Sequence, residues 1–79
     1  MWIYTTTNEL VNLVTGAKIF ARRGDEQNKH GTSYTKFSIL ATFSPGGEAY
    51  LGTFDSQSEA HSKINALAAL LEAKLLAEL

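Results

Sequence analysis

The hydrophobic pattern of this chain changes its period once, near residue 55. Before that point apolar and polar residues alternate in short runs separated by turn residues, which is typical of strands with one face in the core. After it apolar residues recur every three or four positions, as on a helix. The sequence therefore predicts a single α+β domain, with an antiparallel sheet over residues 1–54 and one long helix over residues 56–78 packed on it.

The sheet is predicted to be an antiparallel β-meander of four to five strands. The clearest alternation covers residues 34–43, and the Ser-Pro-Gly-Gly segment at 44–47 then predicts a hairpin turn into a strand over 48–54. Residues 24–32 are polar throughout and contain two glycines. That composition predicts a mobile loop between two strands.

The start of the helix is marked by a capping box. Ser56 is a suitable N-cap, and Glu59 three residues later completes the Ser-x-x-Glu pattern. One apolar stripe is predicted to cover the sheet. It comprises Ala60, Ile64, Leu67, Ala68, Leu71 and Leu75.

A second stripe of small and apolar residues lies on the opposite side of the predicted helix. Residues at this spacing allow two helices to approach closely, and a 79-residue domain gains stability by burying more surface. The stripe therefore predicts a homodimer face. Its members are Ala66, Ala69, Leu70, Ala73, Leu76 and Ala77. The alternative is that alanine is simply the best helix former and the leucines are ordinary exposed apolar residues.

Residues with catalytic or metal-binding chemistry are sparse. The chain has no cysteine, which excludes disulfides and Cys-based zinc sites. His30 lies in the predicted loop and His61 in the first helical turn, neither with a second ligand at metal-binding spacing. Asp25 and Glu26 lie beside arginines, so local charge compensation accounts for them. We expect no catalytic, metal or cofactor site and no enzyme activity.

Cations and aromatics alternate on one predicted face of the sheet. Such a surface holds single-stranded nucleic acid by base stacking and phosphate contacts. The candidate residues are Lys18, Phe20, Arg22, Tyr34, Lys36 and Tyr50, with Trp2 and Tyr4 as further members. The alternative is that lysine and arginine stems shield aromatic rings on a solvated sheet face.

Charge and hydropathy bound the partners. The net charge is −1, because an excess of basic residues in the first 45 positions is outweighed by acidic residues in the remainder. A dedicated nucleic-acid binder carries a clear excess of basic residues. The N-terminus lacks a secretory pattern, and residues 60–79 carry too many charges for a membrane span. A cytoplasmic protein without membrane contact is expected.

Several motifs together resemble small uncharacterised bacterial and phage-related proteins. They are Ile3-Tyr4, Glu9-Leu10-Val11-Asn12-Leu13 and Phe54-x-Ser56-x-x-Glu59-Ala60. The resemblance implies a short sheet followed by a C-terminal helix, and no activity. The architecture is also similar to the single-strand-binding domain of the transcriptional coactivator type, by analogy alone.

Two functions follow from the sequence. The first is a small non-enzymatic interaction or regulatory module that acts as a homodimer through its helix. The alternative is a single-stranded nucleic-acid-binding module that uses the basic and aromatic sheet face.

Overall fold

The computed structural model describes residues 1–43 and 46–75, and it confirms an α+β fold with one helix after the main sheet. The elements in chain order are β1 (Trp2–Tyr4), β2 (Leu10–Asn12), β3 (Lys18–Gln27), β4 (Ser33–Thr42), β5 (Glu48–Phe54), α1 (Gln57–Leu70) and β6 (Lys74–Leu75). The strands form one sheet in the order β5-β4-β3-β2-β1-β6.

The strand count differs from the prediction of four to five. Strands β1 to β5 are antiparallel neighbours in chain order, as a meander requires. The sixth strand, β6, lies beside β1 and runs parallel to it. Strands β5 and β6 lie at opposite edges of the sheet and run in the same direction. Two such strands need a crossover connection, and α1 supplies it by carrying the chain across one face of the sheet.

The helix begins as predicted but ends earlier. The Ser56 side chain accepts a hydrogen bond from the Glu59 N–H at 3.2 Å. The predicted end at residue 78 is wrong, because the last helical residue is Leu70. The N–H groups of Glu72 and Ala73 bond the carbonyls of Ala69 and Ala68, a Schellman ending with Glu72 at φ 53°.

The core lies between α1 and the sheet. The helix buries Ala60, Ile64 and Ala68, which are the part of the predicted stripe that the sheet covers completely. Their small and branched side chains pack on apolar residues of three strands. These are Leu10, Ile19, Ile39 and Ala41. Leu67 and Leu71 pack half-buried at the margin, whereas Leu75 belongs to β6.

The predicted mobile loop over residues 24–32 is mostly strand. Residues 24–27 continue β3 and pair with residues 33–36 of β4, so the two strands form a long exposed ribbon. Only a short turn remains, in which the Asn28 side chain accepts from the N–H groups of His30 and Thr32. The Asn28 N–H donates to the Thr32 carbonyl, so the loop proper consists of residues 29–31. Gly31, its last residue, takes φ +81°, as a three-residue hairpin loop requires.

Candidate functional site

The sheet has one face covered by α1 and one that no helix covers. Because side chains alternate along a strand, the neighbours of Ile19, Ile39 and Ala41 point away from the helix. We call this surface the open face. The register places all six predicted nucleic-acid residues on it: Lys18, Phe20, Arg22, Tyr34, Lys36 and Tyr50. The further candidates Trp2 and Tyr4 pack against the core under α1 instead.

The six residues meet as three cation–aromatic pairs. The ammonium of Lys18 lies 5.1 Å from the centroid of the Phe20 ring, and the Arg22 guanidinium lies 5.9 Å from that of Tyr50. Lys36 lies 5.3 Å from the Tyr34 ring. All three distances are within the range of a cation–π attraction. Arg22 also donates a 2.7 Å hydrogen bond to the Tyr50 hydroxyl.

Each of these cations also has a carboxylate partner. Lys18 lies 3.2 Å from Glu9, and the Arg22 guanidinium lies 3.9 Å from Glu48. Lys36 forms an ion pair with Asp55. A phosphate group would have to compete with these carboxylates for every cation, which lowers the electrostatic gain on which nucleic-acid affinity depends.

The open face also buries apolar residues of its own. Leu40 is 0% exposed and Ile3 is 3% exposed, although both lie on the side away from the helix. In the register Leu40 is flanked by Phe20 on β3 and Tyr50 on β5. The two rings and the neighbouring cation stems therefore shield Leu40 from water.

Hydrogen bonding changes the titration of two residues at the β3–β4 ribbon. The Tyr34 hydroxyl donates to Glu26 at 3.0 Å, and that bond is the main reason why its pKa is raised. The hydrogen bond to Asp55 is likewise the main cause of a raised pKa of Lys36, against a smaller desolvation effect that lowers it. Both groups thus hold their protons more tightly than in the unfolded chain.

The predicted homodimer face on the helix is not one continuous stripe. Ala66, Ala69 and Leu70 lie exposed on α1. Ala73 follows the end of the helix and packs half-buried against the core, because the Schellman ending redirects the chain. Leu76 and Ala77 lie outside the residues that the structure describes.

An apolar groove opens between α1 and the edge strand β5. We call it the α1–β5 groove, and its volume is about 460 Å³. Its lining comprises Ile39, Leu51, Phe54, Lys63, Ala66, Leu67 and Leu70. Leu70 is 79% exposed and Leu51 is 50% exposed, so two large apolar side chains face solvent here.

Ala66 and Leu70 of the predicted homodimer face line this groove, whereas Leu51 and Phe54 were not predicted as site residues. Alternation from Tyr50 places Leu51 on the helix side of β5, where it lines the groove. The register of β5 on β4 shifts between Ile39 and Leu40, and this shift brings Phe54 to the same side, although strict alternation would assign Phe54 to the open face. Gly52 was the available signal, since a glycine inside a strand often marks a bulge or a close approach. A Cβ at Gly52 would lie 3.2 Å from the Phe54 ring.

Groups with catalytic or metal chemistry do not converge. Within residues 1–43 and 46–75 no three His, Asp or Glu side chains lie close enough to hold a metal ion. His30 is exposed at the tip of the β3–β4 ribbon, and His61 is half-buried on α1. No helix in the described ranges is long and apolar enough to cross a membrane.

Comparison with known proteins adds no relative. No protein-family model, curated protein or solved structure matches this chain. The geometry of the open face and of the α1–β5 groove is therefore the basis for any functional assignment.

Proposed function

We propose that this chain is a small non-enzymatic interaction module whose binding surface is the α1–β5 groove. The observation that carries the proposal is the concave apolar lining, in which Leu51 and Leu70 face solvent at the rim. Exposed apolar side chains that line one concave patch are characteristic of an interaction site, whereas scattered ones are not. Burying such side chains on a partner would release the water that now contacts them.

The composition of the groove fits a protein partner better than a reacting substrate. A small-molecule or catalytic site combines an apolar wall with several convergent polar groups. Here Lys63 is the one charged residue of the lining, and the remaining members are aliphatic or aromatic. Apolar side chains of another polypeptide are the complementary chemistry.

The backbone beside the groove supports the same conclusion. Strand β5 is at one end of the sheet, so its outer edge presents unpaired N–H and C=O groups next to the apolar lining. Protein partners use this combination when they add a strand to an exposed edge, with backbone bonds for affinity and pockets for specificity.

Site-specific photo-crosslinking tests the proposal. A benzophenone amino acid placed at Leu70 should form a protein adduct in cells of the source organism. The matched control carries the same group at Val14, which is 81% exposed and lies in the turn after β2. An adduct at position 70 and not at position 14 supports the groove. Equal adducts, or none at position 70, contradict it.

A second candidate function is binding of single-stranded nucleic acid on the open face. It is favoured by the three cation–aromatic pairs, which align rings and positive charges along neighbouring strands. We rank it below the first because Glu9, Glu48 and Asp55 already compensate the three cations.

Fluorescence anisotropy with labelled single-stranded DNA and RNA tests the second candidate. At low salt, binding should weaken when Arg22 and Lys36 are changed to glutamine, and it should fall as salt rises. Arg23→Gln is the matched control, because Arg23 lies on the other side of the same strand. Lack of binding at low salt, or an equal effect of the control, removes this candidate.

A further inference from the structure

We infer that the occupant of the α1–β5 groove is a second copy of this chain. The inference rests on the proposed function and names the partner of that same surface. A two-fold axis perpendicular to the sheet would set the two β5 edges side by side and antiparallel. Both copies of α1 would then lie on the same face of a continuous sheet.

The two edges of the sheet differ in how they are protected. Monomeric proteins protect a sheet edge by making it short or by placing lysine, other charges or proline along it. Within the described residues, the β6 edge has two residues. Strand β5 has seven residues and one bulge, and Glu48 at its start is its one charged residue; the segment 49–54 contains no charged residue and no proline. The β5 edge thus has the features of a strand that pairs.

In such a dimer, the distance between the two copies of α1 across the two-fold axis leaves room for the exposed side chains of Leu51 and Leu70. Helix α1 contacts β3, β4 and β5, so its axis lies roughly over β4. Edge-to-edge pairing would then place the two helices about 14 Å apart. Directly packed helices are about 8–10 Å apart. The additional space is what Leu51 and Leu70 from both copies can fill, so one chain supplies both the protruding side chains and the groove.

The size of the shared edge sets the expected strength. A strand of seven residues is about 23 Å long, and the shortest dimension of the molecule is 17 Å. The contact therefore covers roughly 400 Å² per copy in projection, against about 800 Å² per partner in a standard stable interface. We expect a concentration-dependent dimer in the micromolar range.

Sedimentation equilibrium from about 5 to about 500 µM tests this directly. The mean mass of the wild-type chain should rise from one chain to two across this range. Leu51→Asp and Leu70→Asp should each raise the dissociation constant at least about tenfold, because a carboxylate would be buried between the helices. Leu13→Asp is the matched control, since Leu13 is 60% exposed and lies away from β5 and α1.

A second measurement keeps the test independent of these variants. In the purified chain, the crosslinker at position 70 should yield an adduct of two chains whose attachment site maps to the partner's β5 or α1. A monomeric wild type at 500 µM overturns the inference, as does a dimer that is insensitive to both aspartates and crosslinks elsewhere. A monomer that still crosslinks to a different protein in cells leaves the proposed function standing and removes the homodimer.

Discussion

The two faces of the sheet bury apolar residues by different means. On the covered face, Ile64 of α1 packs on the apolar residues of the sheet, and no polar residue is buried in the described part of the chain. On the open face, Leu40 is equally inaccessible, but its cover consists of Phe20, Tyr50 and cations that are already paired with carboxylates. A basic and aromatic pattern can therefore cover an apolar residue and have its charges compensated, whereas Leu51 and Leu70 at the groove stay exposed.

The largest test of this comparison truncates one buried residue on each face. Ile64→Ala should lower the free energy of unfolding by about 2–5 kcal/mol, because the lost side chain leaves a cavity under the helix. If the open face shields a second apolar cluster, Leu40→Ala should cost a similar amount. Urea denaturation followed by circular dichroism measures both.

The control for these truncations is Leu13→Ala. Leu13 is 60% exposed, so its truncation should change stability by less than about 0.5 kcal/mol. If Leu40→Ala resembles this control and not Ile64→Ala, the open face is no second core, and its aromatics are free for another role.

A smaller effect tests how far the covered face depends on the helix start. Ser56→Ala removes the side-chain oxygen that accepts from the Glu59 N–H and should cost about 1 kcal/mol. Ser62→Ala, on the exposed side of α1, should be neutral or slightly stabilising because alanine has the higher helix propensity. The midpoint of thermal unfolding, measured for both variants, tests this prediction. Equal losses of stability in Ser56→Ala and Ser62→Ala would show that the cap contributes nothing.

Local signals in the sequence predicted one end of the helix and missed the other. The capping box at Ser56 involves residues three apart, so it is readable from sequence. The end at Leu70 depends on Glu72 in a left-handed conformation where glycine is usual, which costs about 1–2 kcal/mol and leaves no glycine signal. Pairing of Lys74 with Ile3 supports that ending, and a contact between residues 71 positions apart has no local signature.

The candidate sites show the same division. Alternation correctly placed Lys18, Arg22 and the other four predicted residues on one face, because the period of a strand fixes the side of each side chain. It could not show that carboxylates distant in sequence, such as Asp55, neutralise that face. Phe54 was missed for a related reason, since a single extra residue in β5 changes the side on which every later residue lies.

The pairing of Arg22 with Tyr50 should contribute modestly to the cover. A double-mutant cycle with Arg22→Met and Tyr50→Leu should give a coupling of about 0.5–1 kcal/mol, since both side chains are largely exposed and the cation lies over the ring. A second cycle with Arg23→Met and Tyr50→Leu is the control, and its coupling energy should be zero. A coupling near zero for Arg22 would mean that its contact with Tyr50 contributes nothing to the stability of the open face.

The smallest expected effect is a loss of stability in alkaline solution. The pKa values of Tyr34 and Lys36 are both raised, mainly by hydrogen bonds to Glu26 and Asp55. A raised pKa means that the folded state holds the proton more tightly, so this stabilisation is complete below about pH 10 and is lost as pH rises through the folded-state values. The free energy of unfolding should therefore fall above about pH 10 more steeply for the wild type than for the Tyr34→Phe/Lys36→Met variant. Because all other titrating groups are common to both proteins, parallel curves would show that these bonds at the edge of the open face do not persist in solution.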